Sequence, residues 1–256
     1  MWNPSAESCG GGNDGGWDLT VSGADSRRIL LIGNSRWHWG DMVGGRLRVE
    51  HSPPDPSLIG SSLLAWAAVG RVPPQLAALQ DQRVQLQDVP LQGCPPWLGV
   101  DRAIGAWQAW EFSRSRDLDL SSGLLLVDAG TVLSITVLSP QGSFAGGQLI
   151  PGYQLQLRAM ARGTEALPEL SGWPECLQPF PSETAAAMRS GVLHGLAAAI
   201  RQAELLSGAP CWICGGDSMP LADVLRAGGS TPYVDVDLQL QGLHALASRL
   251  RQGIDR

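Results

Sequence analysis

The chain contains no lysine: its 18 basic side chains are all arginines, set against 24 acidic ones for a net charge of −6. Lacking lysine, it cannot build the Walker-type phosphate loop, whose lysine reaches the phosphates. Any phosphate handled here must be met by backbone N–H groups, hydroxyls, metal ions or arginine. No block of basic residues stands out, and a nucleic-acid backbone is normally neutralised by clustered Lys and Arg, so no nucleic-acid partner is expected. No apolar run approaches the roughly 18 to 20 residues needed to cross a bilayer, so no membrane partner is expected either. The N-terminus lacks a basic segment followed by an apolar stretch, so no signal peptide is expected and the chain reads as cytoplasmic.

Cysteine is also sparse. Cys9, Cys94, Cys176, Cys211 and Cys214 form an odd, scattered set that argues against a disulfide framework. Cys211-Trp-Ile-Cys214 has the C-x-x-C spacing of redox and zinc sites, yet it follows Pro210 and runs into Gly215-Gly216. That context suggests a short buried strand, in which residues i and i+3 face opposite sides. No second pair or histidine cluster completes a metal site.

What is present is 44% apolar residues in 256, enough for a substantial core. Residues 1–26 are rich in Gly, Asn, Asp and Ser and read as a disordered tail. A first lobe is expected over 27–117. Its strands are Arg28–Ile32, Trp37–Met42 and Leu47–Glu50, with a short helix at Ser62–Val69, a strand at Val84–Leu91 and a helix at Ala103–Phe112. The second lobe, 118–256, opens with strands Gly123–Val127, Val132–Leu138 and Ser143–Ile150. Pro151 should start a helix there, and Ser182 should cap a long one. Strands at Cys211–Cys214 and Tyr233–Val236 and helices at Asp217–Arg226 and Leu238–Arg251 complete the reading. Each half thus begins strand–turn–strand, which suggests duplicated α/β lobes.

The two hairpin turns carry the first chemical signal. In Gly33-Asn34-Ser35 and Gly130-Thr131, a glycine beside a small hydroxylated residue lets backbone N–H groups approach phosphate oxygens. Gly215-Gly216 repeats the pattern after a buried strand. Asp128 is the one carboxylate at these turns and suits a cation beside bound nucleotide. The second signal is Gly99-Val100-Asp101-Arg102. A carboxylate here can accept the proton of an attacking hydroxyl, and the adjacent arginine can grip a carboxylate substrate. Taken alone, the segment reads rather as a helix start with Asp in its first turn and Arg102 solvated.

The segments IGNSRWHWG, LGVDRAIGAW, LLLVDAGTVLSITV with GSFAGGQLIPG, TEALP, ETAAAMRSGVLHG and CGGDS occur in the order seen in type III pantothenate kinases, which the chain resembles from Leu30 to about Ser218. The resemblance implies two actin-like (ribonuclease H-like) lobes with a nucleotide in the cleft between them. It implies phosphorylation of pantothenate by ATP with Mg2+ and a monovalent cation, K+ or NH4+, in a homodimer. By position, Asp101 matches the catalytic base, Gly99, Val100, Asp101, Arg102 and Thr184 the substrate contacts, and Asp128 the monovalent-cation ligand. Leu31, Ile32, Gly33, Asn34, Ser35, Arg36, Trp37 and His38 match the first ATP segment, and Thr131 a further ATP contact. Three positions depart from the pattern. Leu31 stands where the family usually has Asp, Thr136 where it often has another Asp, and a tyrosine that commonly lines the pantothenate site has Gln92 or Pro95 near its place. Leu31 and Thr136 favour an alternative, a catalytically weak ATP-binding regulator on the same fold; the retained Gly-x-Asp-Arg favours the kinase.

Overall fold

A computed structural model of the chain describes residues 28–174 and 177–254; the expected tail at 1–26 lies outside them. Strands β1 (Arg28–Ile32), β2 (Trp37–Val43), β3 (Arg46–Ser52) and β4 (Ala65–Ala68) form a first sheet in the order β3-β2-β1-β4. Neighbours are antiparallel except for the parallel pair β1–β4. Helix α1 (Val100–Ser115) follows. Strands β5 (Leu124–Ala129), β6 (Val132–Leu138) and β7 (Phe144–Pro151) then precede helices α2 (Tyr153–Gly163) and α3 (Thr184–Ser207). Next come β8 (Cys211–Cys214), α4 (Ser218–Ala227), β9 (Tyr233–Val234) and α5 (Leu238–Ile254). The second sheet runs β7-β6-β5-β8-β9. It repeats the antiparallel meander and the parallel step to the fourth strand, with β9 added at its edge. The duplicated α/β arrangement expected from the two hairpins is present.

Why the two central strands read as continuous apolar runs is clear from their covering layers. Ile29 and Leu31 of β1 and Leu124 and Leu126 of β5 point inward, into one cluster shared with Ala103, Ile104 and Trp107 of α1 and Leu243 and Leu246 of α5. Leu125 and Val127 point outward beneath α2, α3 and α4. Leu30 and Ile32 point outward beside Trp37, Trp39 and Trp66, against Leu76 and Leu79 of a 3-10 stretch at Pro74–Gln82. Helix α1 is buried around most of its circumference, from Ala103 through Ala109, as its sandwiched position requires. Although α5 comes last, it packs against β1, β2 and β4 as well as α1.

Buried indoles are tied down. Trp66 Nε1 donates to the Leu79 carbonyl at 2.6 Å, and Trp212 Nε1 donates to Ser113 Oγ at 2.8 Å. Each bond satisfies a donor whose burial would otherwise carry a desolvation cost.

Three local expectations are corrected. Ser62–Val69 is not a helix: Ala65–Ala68 forms β4, because parallel pairing with β1 and the anchored Trp66 override the helical propensity of its alanines. Val84–Leu91 is not a strand. Only Arg83 bridges to Trp66, and a 3-10 turn at Leu86–Asp88 is closed by Asp88 accepting from Gln85 N–H at 2.7 Å. Pro151 ends β7, and the helix begins at Tyr153. Cys211 and Cys214 face opposite sides of β8, in the outer and inner clusters respectively, and both thiols are free. Among the described residues, no three His, Cys, Asp or Glu side chains are grouped to hold a metal ion.

Candidate functional site

The two hairpin turns meet. Ser35 Oγ and Thr131 Oγ1 are 2.7 Å apart, joining the β1–β2 turn to the β5–β6 turn across 96 residues of sequence. In the first turn Gly33 N–H donates to Arg36 C=O at 3.0 Å, leaving Asn34, Ser35 and Arg36 exposed. Leu31 is buried on the inner face, whereas the Ile32 and Trp37 side chains belong to the outer cluster. His38 lies directly across from Leu31 on β2.

Asp128 sits near the end of β5, paired with Ser134 and Cys214. Its Oδ2 accepts from Gln239 Nε2 of α5 at 2.9 Å. Burial, with the charge of Asp101 next, pushes its carboxyl up to about 7; the Gln239 bond and Arg102 pull the other way, and Asp217 adds to the rise. A carboxylate held in this way is short of positive charge, and a cation fits it. Gly215, at φ +87°, turns the chain directly over this group, and a Cβ there would stand 2.6 Å from Asp128 Oδ1. Only glycine fits that close approach in a left-handed conformation.

Asp101 occupies the first turn of α1, where its Oδ1 accepts Arg102 N–H at 2.7 Å. Burial raises its pKa above the ordinary carboxylate value, against the opposing pull of that bond and of the Arg102 charge. The Arg102 side chain reaches β6, donating from Nε and Nη2 to Thr136 Oγ1 at 3.3 and 3.1 Å. Thr136 therefore orients the guanidinium without neutralising it, a role that a carboxylate there would not share. Beside Gly99 and Val100 lies a cavity of about 300 Å3, bounded by Val69, Val84, Leu86 and Leu98 with Arg83 at its wall.

The structure thus brings Asp101, Arg102 and Asp128 close enough to influence one another's charge, and joins Ser35 to Thr131. Thr184 stands apart, exposed as the first residue of α3 and without a hydrogen bond to those groups among the described residues. Two residues escaped the sequence reading. Asp217 follows the Gly215-Gly216 turn, its N–H donating to Ala129 C=O at 2.9 Å, with its pKa raised to about 6 by burial. A carboxylate directly after a Gly-Gly turn was a usable signal. Gln239 had none, because 111 residues separate it from Asp128.

A family model described as type III pantothenate kinase matches residues 65–204. A type III pantothenate kinase of Synechococcus elongatus is 34% identical over 254 residues, covering 88% of this chain and 98% of the relative. One from Thermosynechococcus vestitus is 34% identical over 212 residues, covering 80% and 78%. Among solved structures, a putative Baf family transcriptional activator from Campylobacter jejuni superposes with a TM-score of 0.62 at 19% identity, covering 88% of this chain and 99% of that one. A putative 2-dehydro-3-deoxygalactonokinase from Sinorhizobium meliloti gives 0.52 at 14% identity, covering 88% and 98%. These two likenesses speak to the fold alone, a two-sheet α/β arrangement of the actin-like type. On the family model and the near full-length relatives, the chain belongs to the type III pantothenate kinase family.

Proposed function

We propose that this chain transfers the γ-phosphoryl group of ATP to the hydroxyl of pantothenate, giving 4′-phosphopantothenate for coenzyme A synthesis. The observation that carries the reading is the convergence of Asp101, Arg102 and Asp128 with two hydroxyl-bearing turns that touch through Ser35 and Thr131. Backbone N–H groups of residues 34–36, with Ser35 and Thr131, hold the phosphates in the turn that the Gly33 N–H closes onto Arg36 C=O. Asp101 accepts the proton of the attacking hydroxyl, and burial, by raising its pKa, makes it a stronger base than an ordinary carboxylate. Arg102, oriented by Thr136, holds the pantothenate carboxylate. Asp128 holds a monovalent cation, K+ or NH4+. Mg2+ bound with ATP spreads the charge of the phosphates; of the side chains at the first turn, Leu31 offers it nothing. Thr184, the exposed first residue of α3, supplies a further substrate contact, and the enzyme works as a homodimer. The proposed place of action is the cytoplasm. Separately, no described helix is long and apolar enough to cross a membrane.

The test is ATP consumption with and without pantothenate in potassium buffer. Pantothenate-dependent ADP release is expected. ATP binding without it would favour the second reading, a catalytically weak ATP-binding regulator, which the apolar Leu31 supports.

A further inference from the structure

A pair of histidines stands next to the first turn. His38 Nδ1 and His51 Nδ1 are 2.8 Å apart, with their rings edge to face at 4.9 Å between centroids. Two ring nitrogens at that distance share one proton, so one donates and the other accepts. On the far side, His51 Nε2 lies 3.5 Å from Asp237 Oδ1, an enclosed carboxylate oxygen with no hydrogen-bond donor of its own. That oxygen favours a proton on His51 Nε2. The neutral pair then has His38 donating from Nδ1, which leaves a bare lone pair on His38 Nε2.

That nitrogen faces the turn. A Cβ on Gly33 would meet His38 Nε2 at 3.3 Å and the Arg36 carbonyl at 2.9 Å, so only the missing side chain lets the imidazole lie against the turn. Other groups around the pair are Arg36 in the turn, Leu31 opposite on β1, and Asp235 beside Asp237. Asp235 is already engaged, accepting from Gln241 Nε2 at 2.9 Å. Burial first, then the repulsion that two charged imidazoles side by side would meet and the charge of Arg36, hold His38 down to about 4, so it is uncharged at neutral pH before any anion arrives.

An anionic phosphate in the turn would be repelled by the lone pair and attracted by an N–H. We propose that the His38–His51 pair is a one-proton device: nucleotide binding at the first turn draws a proton from solvent onto the pair, and His38 Nε2 becomes a donor to phosphate. The proton adds at His38 Nε2. The proton shared between the two Nδ1 atoms can move toward His51, placing part of the new charge beside Asp237. No other reactant is needed. In a chain without lysine, this supplies a cation at the phosphates that exists only while they are bound. The inference rests on the nucleotide reading above.

The test is calorimetric titration of MgATP, without pantothenate, in buffers of different ionisation enthalpy at neutral pH. Buffer-dependent heat corresponding to a proton taken up is expected from the unaltered protein. His38→Gln should lose that part of the uptake and bind ATP about ten-fold more weakly, the worth of one charge-assisted hydrogen bond. Protons gained or lost by Asp217 and by the nucleotide itself are common to both proteins and cancel. Equal proton uptake by both proteins would overturn the proposal. Absence of any ATP heat would instead overturn the nucleotide reading. Nitrogen NMR of the rings in the unaltered protein, which has four histidines, needs no variant. An Nε2 signal of His38 moving to the protonated range on adding ATP supports the device; one that stays in the unprotonated range sinks it.

Discussion

At the end of β5 the chain carries Asp128, held by Gln239 and pushed up to about 7, whereas at the matching place on β1 it carries Leu31, 2% exposed among apolar side chains. The strands, their turns and their neighbours otherwise correspond: each begins an antiparallel meander and pairs in parallel with the fourth strand of its sheet. Between third and fourth strands, the second half inserts α2 and α3, while the first has only a 3-10 turn at Pro56–Leu58. The two turns therefore keep the same backbone arrangement with unequal side-chain chemistry. The second carries a buried carboxylate; the first has none, and its nearest titratable partner on the inner face is His38, one strand over.

The largest effect is expected at the group both halves surround. Asp101→Asn keeps the shape but accepts a proton poorly, and turnover should fall by about 10²- to 10⁴-fold with the melting temperature little changed. Steady-state kinetics beside a thermal melt check this; retention of half the activity would remove Asp101 from its role. Because burial raises the pKa of this carboxyl, turnover should fall on the acid side at a higher pH than for an exposed aspartate.

Next in size is Arg102→Lys, which loses the fork held by Thr136. It should raise the KM for pantothenate roughly 10- to 100-fold while the KM for ATP changes little. Equal changes in both constants would place Arg102 on the phosphates instead.

Asp128→Asn tests the charged turn directly and should separate function from stability. Dependence on K+ or NH4+ is expected to disappear along with most activity. The folded carboxyl has a higher pKa than the unfolded one, so its ionisation opposes folding. That penalty is absent below the ordinary value near 4, grows as pH rises and is complete above about 7. In cation-free, mildly alkaline buffer the Asn variant should therefore be more stable, by roughly 1–3 kcal/mol after allowance for partial solvation. Denaturant titrations at acid and alkaline pH check the sign.

How much of this was legible depended on how local each feature was. β6 and β8 were read with their true bounds, because short apolar runs and flanking Gly or Pro are local signals. The turns around Gly33 and Gly130 were legible for the same reason. β4 was misread because Ala65-Trp66-Ala67-Ala68 favours a helix on its own and becomes a strand only beside β1. Thr136 was read as a missing acid, and its hold on Arg102 across 34 residues was invisible. So was the return of α5 to the first sheet, which brings Gln239 to Asp128.

The smallest expected effect is at the turn without a carboxylate, and it probes the inequality most directly. With Leu31 in place, Mg2+ with ATP has the phosphates, water and distant groups to rely on, so an active enzyme with a high requirement for magnesium or ATP is expected. Leu31→Asp restores the symmetry of the two turns and should lower that requirement several-fold. Against this stands the cost of placing a carboxylate in an apolar cluster, which without a partner exceeds the roughly 1–3 kcal/mol of a neutral polar group. His38, directly across on β2, is the available partner, and the new carboxylate would favour its protonated form. The substitution should therefore raise the pKa of His38 and recover part of its own cost. Removing the partner as well isolates that coupling: in the double variant with His38→Gln, the loss of stability should exceed the sum of the two single losses. If Leu31→Asp folds normally and leaves the magnesium and ATP requirements unchanged, the first turn does not place the metal, and the correspondence between Leu31 and Asp128 is one of backbone alone.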